Sequence, residues 1–231
     1  MKTFYTLLIV GIATFLLVTG GVFTNQIPFR IHPNSFIDGL AKYQFLALTI
    51  AITTTTAILF LNPESKQFLK AGKLITIAEK EKWLGINGES SWIANGFQLL
   101  VFISSATGLF MFLGLNYTNS LDNFQWNFIP VVLLFSLSNS FTEELIFRFG
   151  IVGGLSRRCS KLPLLIISAV LFGLPHYWGN PGGFTGVLMS GLLGYILSKA
   201  TIETKGIGVA WIIHFVQDII IFTALIMMNV T

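Results

Sequence analysis

An all-α, polytopic membrane protein with about seven spanning helices is the fold class this sequence predicts. Three observations predict it: apolar residues dominate, they gather into runs long enough to cross a bilayer, and basic residues alternate between the connections. Hydrophobic residues make up 53% and charged residues only 10% of the 231 positions, with 22 Phe and a mean hydropathy of +0.75. That is far more apolar than a water-soluble domain of this size.

The apolar runs fall at roughly 4–24, 41–61, 93–116, 127–154, 162–179, 183–199 and 206–228. Each is near the ~17–25 residues a spanning helix needs. The first follows Lys2 and ends in Val18-Thr19-Gly20-Gly21 without a small-x-small cleavage pattern, so it reads as a retained helix in preference to a signal peptide. After the second, the connection 62–92 sets Phe68, Ala71, Ile75 and Ala78 at helical spacing between lysines. This pattern predicts a helix, either an amphipathic one on the membrane surface or a solvated one between spans. The fourth run is long enough to tilt, kink or leave the membrane at one end, so six to eight spans are compatible with the pattern. In the fifth, Pro175 removes a backbone donor beside His176 and should kink the helix there. Around the sixth, Gly182, Gly186, Ser190 and Gly194 repeat every four positions, a small-residue stripe suited to close helix packing.

Net charge is +4, and its distribution carries more information than its size. Lys66, Lys70, Lys73, Lys80 and Lys82 follow the second run, Arg157, Arg158 and Lys161 the fourth, and Lys199 and Lys205 the sixth. The connections after the third and fifth carry no Lys or Arg. Because basic loops stay in the cytoplasm, the expected topology has a cytoplasmic N-terminus and an outside C-terminus, in a bacterial-type plasma membrane. The single cysteine, Cys159, has no internal disulfide partner. No soluble domain, repeat or low-complexity tract interrupts the chain, so residues 1–231 are expected to form one membrane domain. The lipid bilayer is the expected surrounding, and nothing calls for nucleic acid.

Six ionisable residues lie well inside these apolar runs, away from the lysines at their ends: Glu143, Glu144, Arg148, His176, His214 and Asp218. A charge in the hydrocarbon region costs at least ~2.5 kcal/mol, so such residues face the protein interior and are usually kept for function. Glu144 and Arg148, four apart on a helix, share a face in the favourable ion-pair order. Glu143 points about 100° away, on the stripe of Ser136 and Asn139, and has no local cation. An unpaired carboxylate in a low dielectric suits taking a proton from water and returning it, which makes Glu143 the general-base candidate. Asp218 lies one turn beyond His214, on the same face. His32, the third histidine, is expected at the surface. Counted at ~1.5 Å per residue from the predicted cytoplasmic ends, Glu143, His176 and His214 lie ~12–20 Å deep, compatible with one cavity opening to the cytoplasm.

Two His, one Glu and one Asp fit three roles. A metal hydrolase would use them as ligands with one position left for water. A metal-free hydrolase would use Glu143 with a histidine to activate water and the other groups to hold the oxyanion. A proton-coupled transporter would use them as a relay, although no repeated halves with interrupted helices are visible. H-E-x-x-H, G-x-S-x-G and glycine-rich phosphate motifs are absent.

The ordered set Glu143-Glu144-x-x-x-Arg148, Phe172-x-x-x-His176 and His214-x-x-x-Asp218, on successive membrane helices, resembles the CPBP family of intramembrane proteases. This family, also called Abi, includes the type II CAAX prenyl endopeptidases and bacterial bacteriocin-processing and immunity proteins. The resemblance covers 127–228, the motif-bearing core. It implies that Glu143 and His176 activate water, that His214 and Asp218 stabilise the tetrahedral intermediate, and that Glu144, Arg148 and Phe172 support them. Prenyl endopeptidases carry Asn where this chain has Asp218, and Asn donates a hydrogen bond where an ionised Asp cannot. The cofactor is left open by the resemblance, a divalent metal such as zinc being the candidate, with Glu143, His176, His214 and Asp218 as its ligands. The expected function is therefore intramembrane endopeptidase, cleaving a peptide or protein substrate near the cytoplasmic side. A catalytically silent immunity or scaffold protein of the same family is the alternative, and a transporter the third reading.

Overall fold

Among the described residues, seven helical segments are long and apolar enough to cross a membrane. The computed structural model describes residues 1–179 and 181–230. The helices are α1 (Lys2–Thr24), α2 (Ser35–Leu61), α3 (Trp92–Tyr117), α4 (Ile129–Glu143), α5 (Lys161–Gly173), α6 (Gly183–Thr204) and α7 (Gly208–Asn229). Among the described residues the only β-type pairing is two isolated bridges. The spans expected from hydropathy are all present.

Local chemistry sets the helix ends. Asn34 caps α2 by accepting from Phe36 N and Ile37 N, and Pro130 stands in the first turn of α4, where its missing donor costs nothing. On the outward faces Phe15, Phe45, Phe60, Phe97 and Phe102 are exposed, which in this chain means facing lipid. Tyr117, Trp126 and Trp178 are exposed near one set of span ends, as an interfacial aromatic belt requires.

The fourth span changes character halfway. At Glu144 the α-helix widens into a π-helix, Glu144–Gly153, whose ten residues are all buried. Such a wide turn is rare and recurs at functional sites. It is enclosed by α1, α2 and α5, and Gly154 lets α1 come close: a Cβ there would lie 2.6 Å from Thr6 Cγ2. The small-residue stripe around α6 works as packing at Gly194, while Ser190 lines a cavity. A Cβ on Gly194 would sit 3.1 Å from Phe172, and one on Gly173 of α5 would sit 2.7 Å from Val187 O.

The connection after α2 is not the helix its spacing predicts. It holds two short 3-10 turns, Pro63–Phe68 and Lys82–Leu84, and otherwise runs irregularly. Its backbone pairs with the α6–α7 turn instead: Lys73 N donates to Thr204 O, Ile207 N to Lys70 O, and Gly208 N to Ala71 O. Gly72, at φ +86, makes the bend this pairing needs. Phe68 and Ala78 are buried while Ile75 is exposed, so the apolar residues do not share one face.

This connection also marks a side. Arg158 meets Glu64 at 3.8 Å, and Lys161 contacts both Glu79 and Glu203. The Asn62 amide donates to Thr6 Oγ1 and Gly154 O, both at 3.3 Å. The basic connections after α2, the π-helix and α6 therefore lie on one face of the bundle, together with the start of α1. That arrangement agrees with the alternation of charge along the chain.

Candidate intramembrane active site

Where α4 meets the π-helix, the two adjacent glutamates turn toward different partners. Glu144 Oε1 lies 3.2 Å from Arg148 Nη2 and 2.8 Å from His214 Nδ1. The expected Glu144–Arg148 pair is present, and both side chains are wholly buried. The same glutamate also does something its helix spacing does not reveal: it reaches α7 and fixes the ring of His214. A carboxylate accepts, so Nδ1 of His214 carries the donated proton and Nε2 points away from Glu144. Arg148 stacks over the Phe172 ring at 4.0 Å, and among the described residues its nitrogens have no well-directed hydrogen bond. Its attachment is therefore charge and cation–π attraction.

Phe172 is the packing centre of the site. Its ring lies 4.9 Å from that of His176, 5.6 Å from that of His214 and 5.2 Å from that of Phe147. Beyond Phe172 the helix tightens at Leu174 into a 3-10 turn, Leu174–Trp178, containing Pro175. The distortion expected beside His176 is there, and the carbonyl of Phe172 accepts from His176 Nδ1 at 2.7 Å. A carbonyl cannot donate, so a neutral His176 presents the lone pair of Nε2.

Glu143 and Asp218 meet through a residue not singled out in the sequence for chemistry. Asn139 Nδ2 donates to Glu143 Oε1 at 3.2 Å and to Asp218 Oδ2 at 3.1 Å, and its Oδ1 accepts from Gln44 Nε2 at 3.5 Å. The available signal was its place one turn before Glu143 on the same stripe. Glu143 Oε2 is left with no hydrogen-bond partner among the described residues, 3.6 Å from His214 Nε2. Asp218 Oδ1 lies 3.7 Å from the same nitrogen. All four expected catalytic residues, Glu143, His176, His214 and Asp218, line one cavity of about 300 Å³. His32 is outside the cluster, where its Nδ1 accepts from Asn34 N.

The cavity reaches from the level of Tyr43 and Ile103 toward one set of span ends. Its walls include Met111 on α3, Gly179 and Pro181 in the α5–α6 connection, and Leu225 on α7. These lie toward the ends of the spans opposite the basic connections. His176 sits near the end of its span that is away from the basic connections. A second cavity of about 350 Å³, between α1, α2 and the 3-10 turn, shares Tyr43, Glu143, His176 and Gly179 with the first. Glu143 and His176 thus border both cavities, whereas His214 and Asp218 border the first.

No three His, Cys, Asp or Glu side chains converge as a metal ion requires among the described residues. Nδ1 of His214 and of His176 is held by Glu144 and by the Phe172 carbonyl, which leaves each Nε2 for the cavity.

Residues 125–220 match the family model described as type II CAAX prenyl endopeptidase Rce1-like. The match covers α4, the π-helix, α5, α6 and most of α7, hence every motif residue, and it is consistent with the CPBP family. No curated protein and no solved structure matches the chain.

Proposed function

Starting from a seven-helix membrane bundle whose residues 125–220 match the type II CAAX prenyl endopeptidases, we propose that this protein is an intramembrane endopeptidase. The match supports protease-type activity, and the site geometry supports a division of labour. Glu143 Oε2, free of protein donors, takes a proton from water while the hydroxide forms a bond to the scissile carbonyl carbon. His176 Nε2 accepts a hydrogen bond from the same water and orients it. As an imidazolium, His214 donates Nδ1–H to Glu144 and Nε2–H to the carbonyl oxygen as it becomes an oxyanion. When the intermediate collapses, the C–N bond breaks and the proton held by Glu143 passes to the leaving amine. Asp218 stands at the far side of the Nε2 edge and holds its charge on the ring.

The observation that carries this reading is the bond between Glu144 and His214 across two helices. It orients an imidazole donor toward a carboxylate with a free oxygen, inside a cavity of about 300 Å³. No step needs a metal, and elemental analysis of purified protein measures whether one is bound. With basic connections in the cytoplasm, the cavity faces the other half of the bilayer, so the peptide segment enters from the outer half.

The test compares membrane-derived peptides in cells carrying wild-type protein, Glu143→Ala or His176→Ala. A cleavage product present with wild type and absent with both variants is the expected result. If Glu143→Ala produces the same peptides as wild type, the hydrolytic mechanism is wrong. If an immunity phenotype survives both substitutions unchanged, the silent-scaffold reading takes its place.

A further inference from the structure

The two acids of the site are held by one amide. Asn139 lies on α4 and Asp218 on α7, yet a single –NH₂ group donates one proton to Glu143 Oε1 and the other to Asp218 Oδ2. The amide nitrogen is assigned to this side because the opposite flip would set the carbonyl oxygen against two carboxylates. Gln44 Nε2 of α2, itself buried, supports Oδ1 from behind. Every polar atom of the Asn139 side chain is thereby engaged, in a residue that lines the cavity. The arrangement leaves Glu143 with one restrained oxygen and one free one.

We propose that Asn139 is a positioning residue: it clamps the carboxylates of Glu143 and Asp218 so that Glu143 Oε2 alone is presented to water. The amide also keeps the acids apart, because two carboxylates in a low dielectric repel unless a donor lies between them. Asp218 occupies the position where prenyl endopeptidases have Asn, so an amide contributed by α4 stands beside the acid contributed by α7. The role in turnover rests on the endopeptidase reading, whereas the clamp itself can be tested without any substrate.

The probe is dicyclohexylcarbodiimide, which attaches to carboxyl groups in apolar surroundings when they lose the donors that keep them charged. Full-length protein in detergent micelles is labelled, digested and analysed by mass spectrometry for adducts on Glu143 and Asp218. Two proteins are compared with wild type: Asn139→Leu, and the swap Asn139→Asp with Asp218→Asn. The swap keeps an amide facing a carboxylate between α4 and α7 but removes the donor to Glu143. Labelling of Glu143 is expected to rise at least about tenfold in both, because each takes a hydrogen bond from the charged form. Labelling of Glu143 within about twofold of wild type, in a swap protein that melts like wild type, overturns the clamp. The swap decides the matter if Asn139→Leu does not fold. Once a cleaved peptide is identified, Asn139→Leu should lower kcat at least about a hundredfold while KM moves less than about threefold. A changed KM with unchanged kcat overturns the positioning role, and the labelling result stands even if no peptide is cleaved.

Discussion

Replacing Arg148 with Met tests whether the buried ion pair holds the site together. The guanidinium is entirely enclosed, 3.2 Å from Glu144 Oε1 and 4.0 Å above the Phe172 ring. Methionine keeps much of the apolar length but leaves Glu144 charged in the interior, with His214 as its remaining partner. Breaking a buried pair from one side costs about 3–5 kcal/mol. Loss of a desolvated cation–π contact adds about 2 kcal/mol, while the surviving His214 contact offsets part of the sum. A net destabilisation of about 3 kcal/mol is the expected outcome. Removing both charges, as Arg148→Met with Glu144→Gln, should recover at least about 1–2 kcal/mol of it, since no unpaired carboxylate remains. Denaturant unfolding in micelles, followed by tryptophan fluorescence, measures all three proteins. A single variant as stable as wild type, or a double variant no better than the single, refutes the argument. Proteolysis should still be absent in the double variant, because a neutral amide at position 144 lacks the charge that holds the His214 imidazolium.

Two further outcomes follow from the basic face and from the cavity. Glu203, almost fully enclosed, accepts from Lys161, Lys199, Trp92 Nε1 and Glu79 N. Glu203→Ala should therefore free the 70–91 connection, and limited trypsin digestion at Lys73, Lys80 and Lys82 should accelerate about tenfold or more; unchanged digestion would show that the backbone pairing with α6–α7 suffices. For sidedness, Ser190→Cys in a Cys159→Ser background places a thiol in the cavity wall, and a membrane-impermeant thiosulfonate should label it from outside intact cells. Labelling only in inverted vesicles would reverse the proposed orientation.

Much of the site was legible in the sequence because helical spacing is a local property. The Glu144–Arg148 pair needs only i,i+4 proximity, and it persists although the helix widens to a π form at that point. The distortion at Pro175 likewise belongs to the residue itself. Other contacts have no local signature. The Asn139–Asp218 bond joins positions 79 apart and the Glu144–His214 bond positions 70 apart, and each depends on how far α7 is rotated and shifted against α4. The 62–91 connection misled for a related reason. Its apolar spacing is helical, but its backbone donors and acceptors find partners at Thr204, Ile207 and Gly208, and that competition is invisible within the segment.

The sequence by itself determined that the chain crosses a membrane, that it does so about seven times, and that six ionisable groups lie well inside the apolar runs, because transfer free energies depend on residue type and run length. Only the tertiary structure decided which oxygen of Glu143 is free, which histidine nitrogen is left for the cavity, and which span ends the cavity walls reach. Those outcomes are set by helix rotation and depth, which packing between spans controls.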